Sequence, residues 1–149
     1  MLHFTLHWII NNDQQVSAMN NINDFITHIA EIDPDHLFIN YPYKEMDIAI
    51  GSYYMEIFSD ETFVGFALFY PMAATLIYMR NFYILKTARI KNIFNDSMSF
   101  IIQQFGEKGV SKLLTFIDHN AKALVKRLNN YGFHVTAHHN KFEMLELDF

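Results

Sequence analysis

The sequence predicts an α/β domain with six or seven strands and flanking helices. Three observations predict it: an alternating apolar segment at the start, three strand-like segments in succession in the middle, and helical stripes interleaved with single strands thereafter. At 149 residues the chain suits one domain, 1–149, and its 51% apolar and 18% charged content supplies a core without the charge density of a disordered tail.

Leu2, Phe4, Leu6, Trp8 and Ile10 alternate with His3, Thr5, His7 and Ile9, the period of a strand with one apolar face. Asn11, Asn12 and Asp13 are acceptable helix caps. Val16, Met19, Ile22, Phe25, Ile26 and Ile29 then form a helical stripe that ends before Asp33-Pro34. Residues 35–51 show no clean period. Segments 52–59, 62–70 and 74–85 read as strands, with turns at 59–61 and 71–73, the second around Pro71. Ile90, Ile93, Phe94, Ser97, Met98, Ile101, Ile102 and Phe105 mark a long amphipathic helix running toward Gly106 and Gly109. A strand over 112–118 follows. Asn120 can cap a helix with an inner face of Ala121, Leu124, Val125 and Leu128, stopped by Tyr131-Gly132. Segments 133–139 and 142–149 flank Asn140-Lys141 as a closing hairpin.

Eleven Lys and Arg against sixteen Asp and Glu give a net charge of -5, which argues against a nucleic-acid partner and suits a cationic one. With no cysteine, disulfides, thiolate metal sites and Cys nucleophiles are excluded. The N-terminal segment lacks a basic n-region and a small-residue cleavage site, so a cytoplasmic location is expected. The uncharged stretch 62–79 approaches the length of a membrane span, but its β-branched and aromatic content and Pro71 favour two strands around a turn, and no membrane partner is expected.

Several segments resemble the GNAT superfamily of N-acetyltransferases. Phe63-Val-Gly-Phe-Ala-Leu68 is similar to that family's strand with a conserved-pattern "ivG", Phe82-Tyr-Ile84 to its "L-x-V", and Gly109-Val-Ser-Lys-Leu-Leu-Thr-Phe116 to the strand after its long helix. Asn120-Ala-Lys-Ala123 followed by Tyr131-Gly-Phe133 resembles its "N-x-x-A … G-F". The distance from Arg89 to Gly109 also matches the family's usual spacing. The resemblance covers residue 61 onward and implies a mixed, mostly antiparallel sheet that splays between two parallel strands. It also implies acetyl-coenzyme A as co-substrate, a small-molecule or peptide amine as acceptor, and a homodimer as one assembly.

In such enzymes the pyrophosphate rests on the amides at a helix start, reached through a loop of form R/Q-x-x-G-x-G/A. The corresponding run here is Arg89-Ile-Lys-Asn-Ile-Phe94, with Asn92 and Phe94 in the glycine positions. The resemblance therefore places Ile84, Lys86, Arg89, Lys91, Asn92, Phe94 and Asn120 at the cofactor. Asn92 can take φ > 0 and serve a tight turn, whereas Phe94 brings a large side chain. Two readings stand. If Phe94 points into the core with Ile90 and Met98, the first-turn amides can still meet a phosphate. If instead Thr87 caps the helix, the loop is only its first turn, and the domain is a non-catalytic shell that serves binding or dimerisation.

Many family members use as acid a Tyr seven residues after the Asn, a position held here by Arg127, or by Leu128 counting back from Gly132. Tyr131 is the nearest phenol and the candidate acid, and Glu56, on a strand, is the candidate base, with Asp60 beside it. Tyr41, Tyr43, Tyr53, Tyr54 and Tyr70 fall where the resembling fold walls its acceptor pocket, although core packing accounts for such residues equally well. No metal site is expected, because His134 and His138 share a strand face about 13 Å apart. His119 at a strand end is read as exposed, and Lys122, Lys126 and Arg127 as a solvated helix face.

Overall fold

The structure is a computed structural model, described here over residues 1–32, 48–85, 88 and 92–149, with side chains 29–32 set aside. The elements follow in the order β1 (Leu2–Trp8), α1 (Asn12–Ile32), β2 (Tyr53–Ser59), β3 (Thr62–Ala73), β4 (Leu76–Ile84), α2 (Ile93–Glu107), β5 (Lys112–Asp118), α3 (Lys122–Asn129), β6 (His134–His138) and β7 (Phe142–Asp148). One seven-stranded sheet runs β1-β2-β3-β4-β5-β7-β6, mostly antiparallel, with β4 and β5 parallel.

The α1 start is held by a reciprocal cap: Asn11 Oδ1 accepts the Gln14 amide, and Gln14 Oε1 accepts the Ile10 amide. The buried stripe of α1 is Ala18, Ile22, Phe25 and Ile26, packed with Tyr54, Phe66, Leu68 and Tyr83 of the sheet. Val16, expected on that stripe, is 55% exposed. It lies about 120° around the helix from Ile22, at 100° per residue, and so misses the sheet. The alternation of β1 also stops early. Leu2, Phe4 and Leu6 pack toward the main core, but the strand ends at Trp8, which is exposed and stacks on Tyr53, and the chain then turns Ile9 inward.

The other face carries the larger core. Ile93, Phe94, Met98, Ile101 and Phe105 of α2 and Leu124 and Leu128 of α3 pack on Met55, Ile57, Ala67, Phe69, Met79 and Phe82, with Leu113, Leu145 and Leu147 beyond. The two faces of β2–β4 thus feed two separate apolar clusters, Met55, Ile57, Ala67, Phe69, Met79 and Phe82 on one side and Tyr54, Phe66, Leu68 and Tyr83 on the other, with a register shift between β3 and β4 changing which parity of β4 faces the main core.

The second hairpin turn is at Ala74-Thr75 and not at 71–73. Pro71 lies inside β3 opposite Ile77, at a register shift and past the last β2 partner, Phe69. Beyond β2 that stretch of β3 is an edge, which a residue without an amide hydrogen can occupy. Nor does Asn120 cap α3. The N-cap is Ala121 without a side-chain bond, and the Asn120 amide instead donates to Asp118 Oδ1, a local turn that uses the carboxylate two residues back. The closing hairpin forms as expected, and its second strand, β7, inserts between β5 and β6. Most of the unperiodic segment, including Tyr41 and Tyr43, lies outside the described residues.

Gly65 of β3 has a definite reason for its identity. A Cβ there would stand 2.5 Å from the Tyr83 carbonyl oxygen and 3.2 Å from Ile57 Cδ1. We expect Gly65→Ala to destabilise the fold by about 1–3 kcal/mol through overpacking, read as a lower urea midpoint with unchanged slope.

Candidate functional site

Two polar arrangements flank the sheet, one on each face. The first follows from the parting of β4 and β5. The ladder pairs Leu76 with Lys112, Ile77 with Leu113 and Tyr78 with Leu114, and stops there while both strands continue. At the fork the hydroxyl of fully buried Thr115 donates to the Met79 carbonyl at 2.9 Å, supplying a donor where the ladder ends. Past the fork β4 leads to the start of α2 and β5 to the start of α3, so both helix N-termini lie at the carboxyl ends of the parted strands. In open parallel sheets such a crevice is where ligands settle.

Ile84, at the end of β4, is buried opposite Gly65. The start of α2 has no side-chain cap: Asn92 is the N-cap, exposed, and its carbonyl accepts the Asp96 amide at 3.0 Å. Its φ of -67° is ordinary, so the left-handed turn that asparagine was expected to permit is not made. The N-cap of α2 is Asn92, and Thr87, the other candidate cap, lies outside the described residues.

Phe94 is 5% exposed and belongs to the main core. Its ring lies 5.7 Å from Phe82 and 5.9 Å from Tyr131, centroid to centroid, and the Arg127 guanidinium sits 5.2 Å above it. The helical stripe is therefore obeyed: the ring turns inward from the helix start and bridges α2 to the end of α3. Asp96 in the first turn complements the helix dipole with the chain's own carboxylate. Lys86, Arg89 and Lys91 lie outside the described residues. Asn120 is exposed at the end of β5, in its Asp118 turn.

Tyr131 is half-buried beside Phe94. Burial raises its phenol pKa above the ordinary value, outweighing the lowering by Arg127, so the hydroxyl stays protonated well past neutrality.

The second arrangement lies on the α1 face. Glu56 of β2 faces His7 Nε2 at 2.8 Å and accepts the Tyr54 hydroxyl at 3.1 Å. The His7 and Tyr54 rings stack with centroids 5.8 Å apart. In the ladder Glu56 is level with Phe66, and Phe66 with Tyr83, so two strand spacings, about 10 Å, separate it from β4. Glu56 and Tyr131 are thus on opposite faces of the sheet and do not converge on one reacting atom. The partnership of Glu56 with His7 joins positions 49 apart in the sequence. Only the β1–β2 register, in which His7 opposes Tyr54, could have revealed it.

Tyr53 and Tyr54 point to opposite faces, Tyr53 onto Phe105 and Tyr54 into the α1 cluster, while Tyr70 lies by Arg80 at a third cavity. His119 Nδ1 lies 3.1 Å from the Lys141 carbonyl. Lys122 and Lys126 are exposed, as is Arg127, whose head group rests on Phe94. Among the described residues no three His, Asp or Glu side chains group to hold a metal, and no helix is long and apolar enough to cross a membrane.

No protein-family model and no curated protein matches the sequence. Solved structures do match over essentially the whole chain. An N-acetyltransferase from Staphylococcus aureus Mu50 superposes with a TM-score of 0.71 at 14% identity, covering 99% of this chain and 97% of that one. A GNAT family acetyltransferase from Elizabethkingia anophelis with acetyl-CoA bound gives 0.65 at 10% identity, covering 99% and 98%. The paia N-acetyltransferase from Thermoplasma acidophilum in complex with coenzyme A gives 0.68 at 11%, covering 99% of each chain. The chain therefore has the GNAT fold, as its quoted segments and element order implied.

Tyr54 gives this region a pH signature. Burial drives its phenol far above the ordinary value, and the Glu56 charge and hydrogen bond push the same way. The fold favours the neutral phenol, so this stabilisation is complete below about pH 10 and is lost as the pH rises beyond it and the unfolded chain ionises. The urea midpoint should fall between pH 9 and pH 11, and Tyr54→Phe should flatten that fall.

Proposed function

We propose that this chain transfers an acetyl group from acetyl-coenzyme A to an amine, with the coenzyme's tail entering where β4 and β5 part. The observation that carries the reading is the three-pair ladder with Thr115 at its fork, in a fold whose solved counterparts include structures with acetyl-CoA or CoA bound. An extended thioester tail suits an opening between two strands, where backbone amides and carbonyls can meet it. The uncapped α2 start, with Asn92 exposed, suits its pyrophosphate, because the inward turn of Phe94 leaves the backbone there uncovered by the ring. Lys86, Arg89 and Lys91 would add charge to that hold, Ile84 would place main chain beside the thioester, and Asn120 would border the tail from β5. When bound, the coenzyme supplies the activated acetyl group.

In this reading the protonated Tyr131 hydroxyl acts as acid for the departing thiolate, supported by the burial that keeps it neutral. Glu56, two strands away, is assigned no part in that step. The acceptor is an amine of a small molecule or a peptide. A cytoplasmic location and a homodimer belong to the same proposal.

Two observations favour a second reading. The Phe94 ring already links α2, β4 and α3, and Asp96 already complements the helix dipole. These features suit a shell that binds partners without coenzyme.

Thermal melting with acetyl-CoA separates the two. A ligand at 100 times its Kd stabilises the fold by about 2.7 kcal/mol, roughly 5–10 °C in Tm for a chain of this size. The enzyme reading expects such a rise and an acetyl-CoA-dependent product with an amine panel, with Tyr131→Phe lowering kcat about 100-fold or more. An unmoved Tm at millimolar acetyl-CoA counts against the enzyme reading and favours the second.

A further inference from the structure

The α1 face carries cavities separate from the β4–β5 opening. Between α1 and β1–β3 lie two adjoining cavities of about 330 and 410 Å³, and both are walled by Asn21 and Glu56. Their chemistry differs. The first is polar, with His7 and Tyr54 from the strands and Asp13 from the helix, and the second is floored by Phe25, Phe58 and Phe63. The aromatic floor is ordered by edge contacts, with Phe25 and Phe63 at 4.6 Å and Phe58 and Phe63 at 5.4 Å between centroids.

Glu56 stands at the junction of the two. Its side chain is 14% exposed, so it is largely withdrawn from solvent, while Asp13 and Asp24 on the helix are open. A carboxylate offers about four acceptor sites, and the Tyr54 hydroxyl and the His7 ring account for two. Among the described residues the two cavities are lined by three carboxylates and by no Lys or Arg. A low-dielectric cleft with that balance concentrates cations. The neighbouring aromatic floor has no use for a hydrated ion but suits an apolar tail.

We propose that this groove binds a primary alkylammonium, its ammonium on Glu56 and its tail over Phe25, Phe58 and Phe63. Phe66 and Tyr83 stand between Glu56 and the end of β4, so the bound amine is held apart from the opening and its binding requires no coenzyme. The inference is therefore independent of the acetyl-transfer reading, and each can fail without the other.

The test is calorimetric titration of the full chain, without coenzyme, with n-hexylamine, 1-hexanol and hexanoate, alongside amide NMR. Hexylamine should bind with shifts centred on Asn21, Glu56, Phe58 and Phe63, hexanol at least tenfold more weakly, and hexanoate not measurably. Glu56→Gln should weaken hexylamine tenfold or more. Asn21→Arg, at an exposed position common to both cavities, should abolish binding with Tm retained, and it decides the matter should the Glu56 variant not fold. The proposal is overturned if hexylamine does not bind, if hexanol binds equally well, if the shifts map to the β4–β5 opening, or if Asn21→Arg binds undiminished.

Discussion

Where β4 and β5 separate, the buried Met79 carbonyl receives its hydrogen from the Thr115 hydroxyl. A parallel ladder that stops in the middle of a core exposes main-chain groups to an apolar surrounding, and an unsatisfied carbonyl there costs on the order of 1–3 kcal/mol. Thr115 removes that cost at the fork itself, with its residue fully buried between Leu113 and Ile117 on the core face of β5. The strands can then diverge toward α2 and α3, and the seven-stranded sheet can stay continuous on both sides of the fork. A valine of the same shape would fill the space without supplying the donor.

The two sheet faces differ in kind. The face under α2 and α3 is closed by a long apolar cluster in which Phe94 links both helices to β4. The face under α1 is closed over β3 and β4, yet toward β1 and β2 the helix leaves room, and the polar atoms there come from His7, Tyr54 and Glu56. Among the described residues the buried stripe of α1 is Ala18, Ile22, Phe25 and Ile26, set against a sheet of seven strands. The carboxylates of Asp13, Asp24 and Glu56 gather at the two cavities beside α1, while Arg80 lies with Tyr70 at a third.

Local pattern made much of this legible. β5 has the bounds its apolar run implied, the first turn of the meander falls where Asp60 takes φ 56°, and α2 buries Ile93, Phe94, Ser97, Met98, Ile101 and Phe105 of the stripe read from its spacing, with Ile102 half-buried and Ile90 outside the described residues. Phe94 is the informative case, because helical period alone said that it faces inward, and it does. Readings failed where a longer-range partner overrode a local preference. Pro71 is tolerated in a strand because β2 is too short to reach it, and Asn120 loses its capping role to a turn made by Asp118.

Period and spacing by themselves determined the element types, most of the core and the order that implies the GNAT fold, because all of these depend on contacts a few residues apart or on alternation along one segment. Tertiary structure decided which strands are neighbours, where the parallel pair parts, and that Glu56 meets His7 and Tyr54 while Tyr131 meets Phe94. Those outcomes depend on sheet register and on which face a side chain takes. A single-residue shift in pairing would exchange the faces without altering any local pattern.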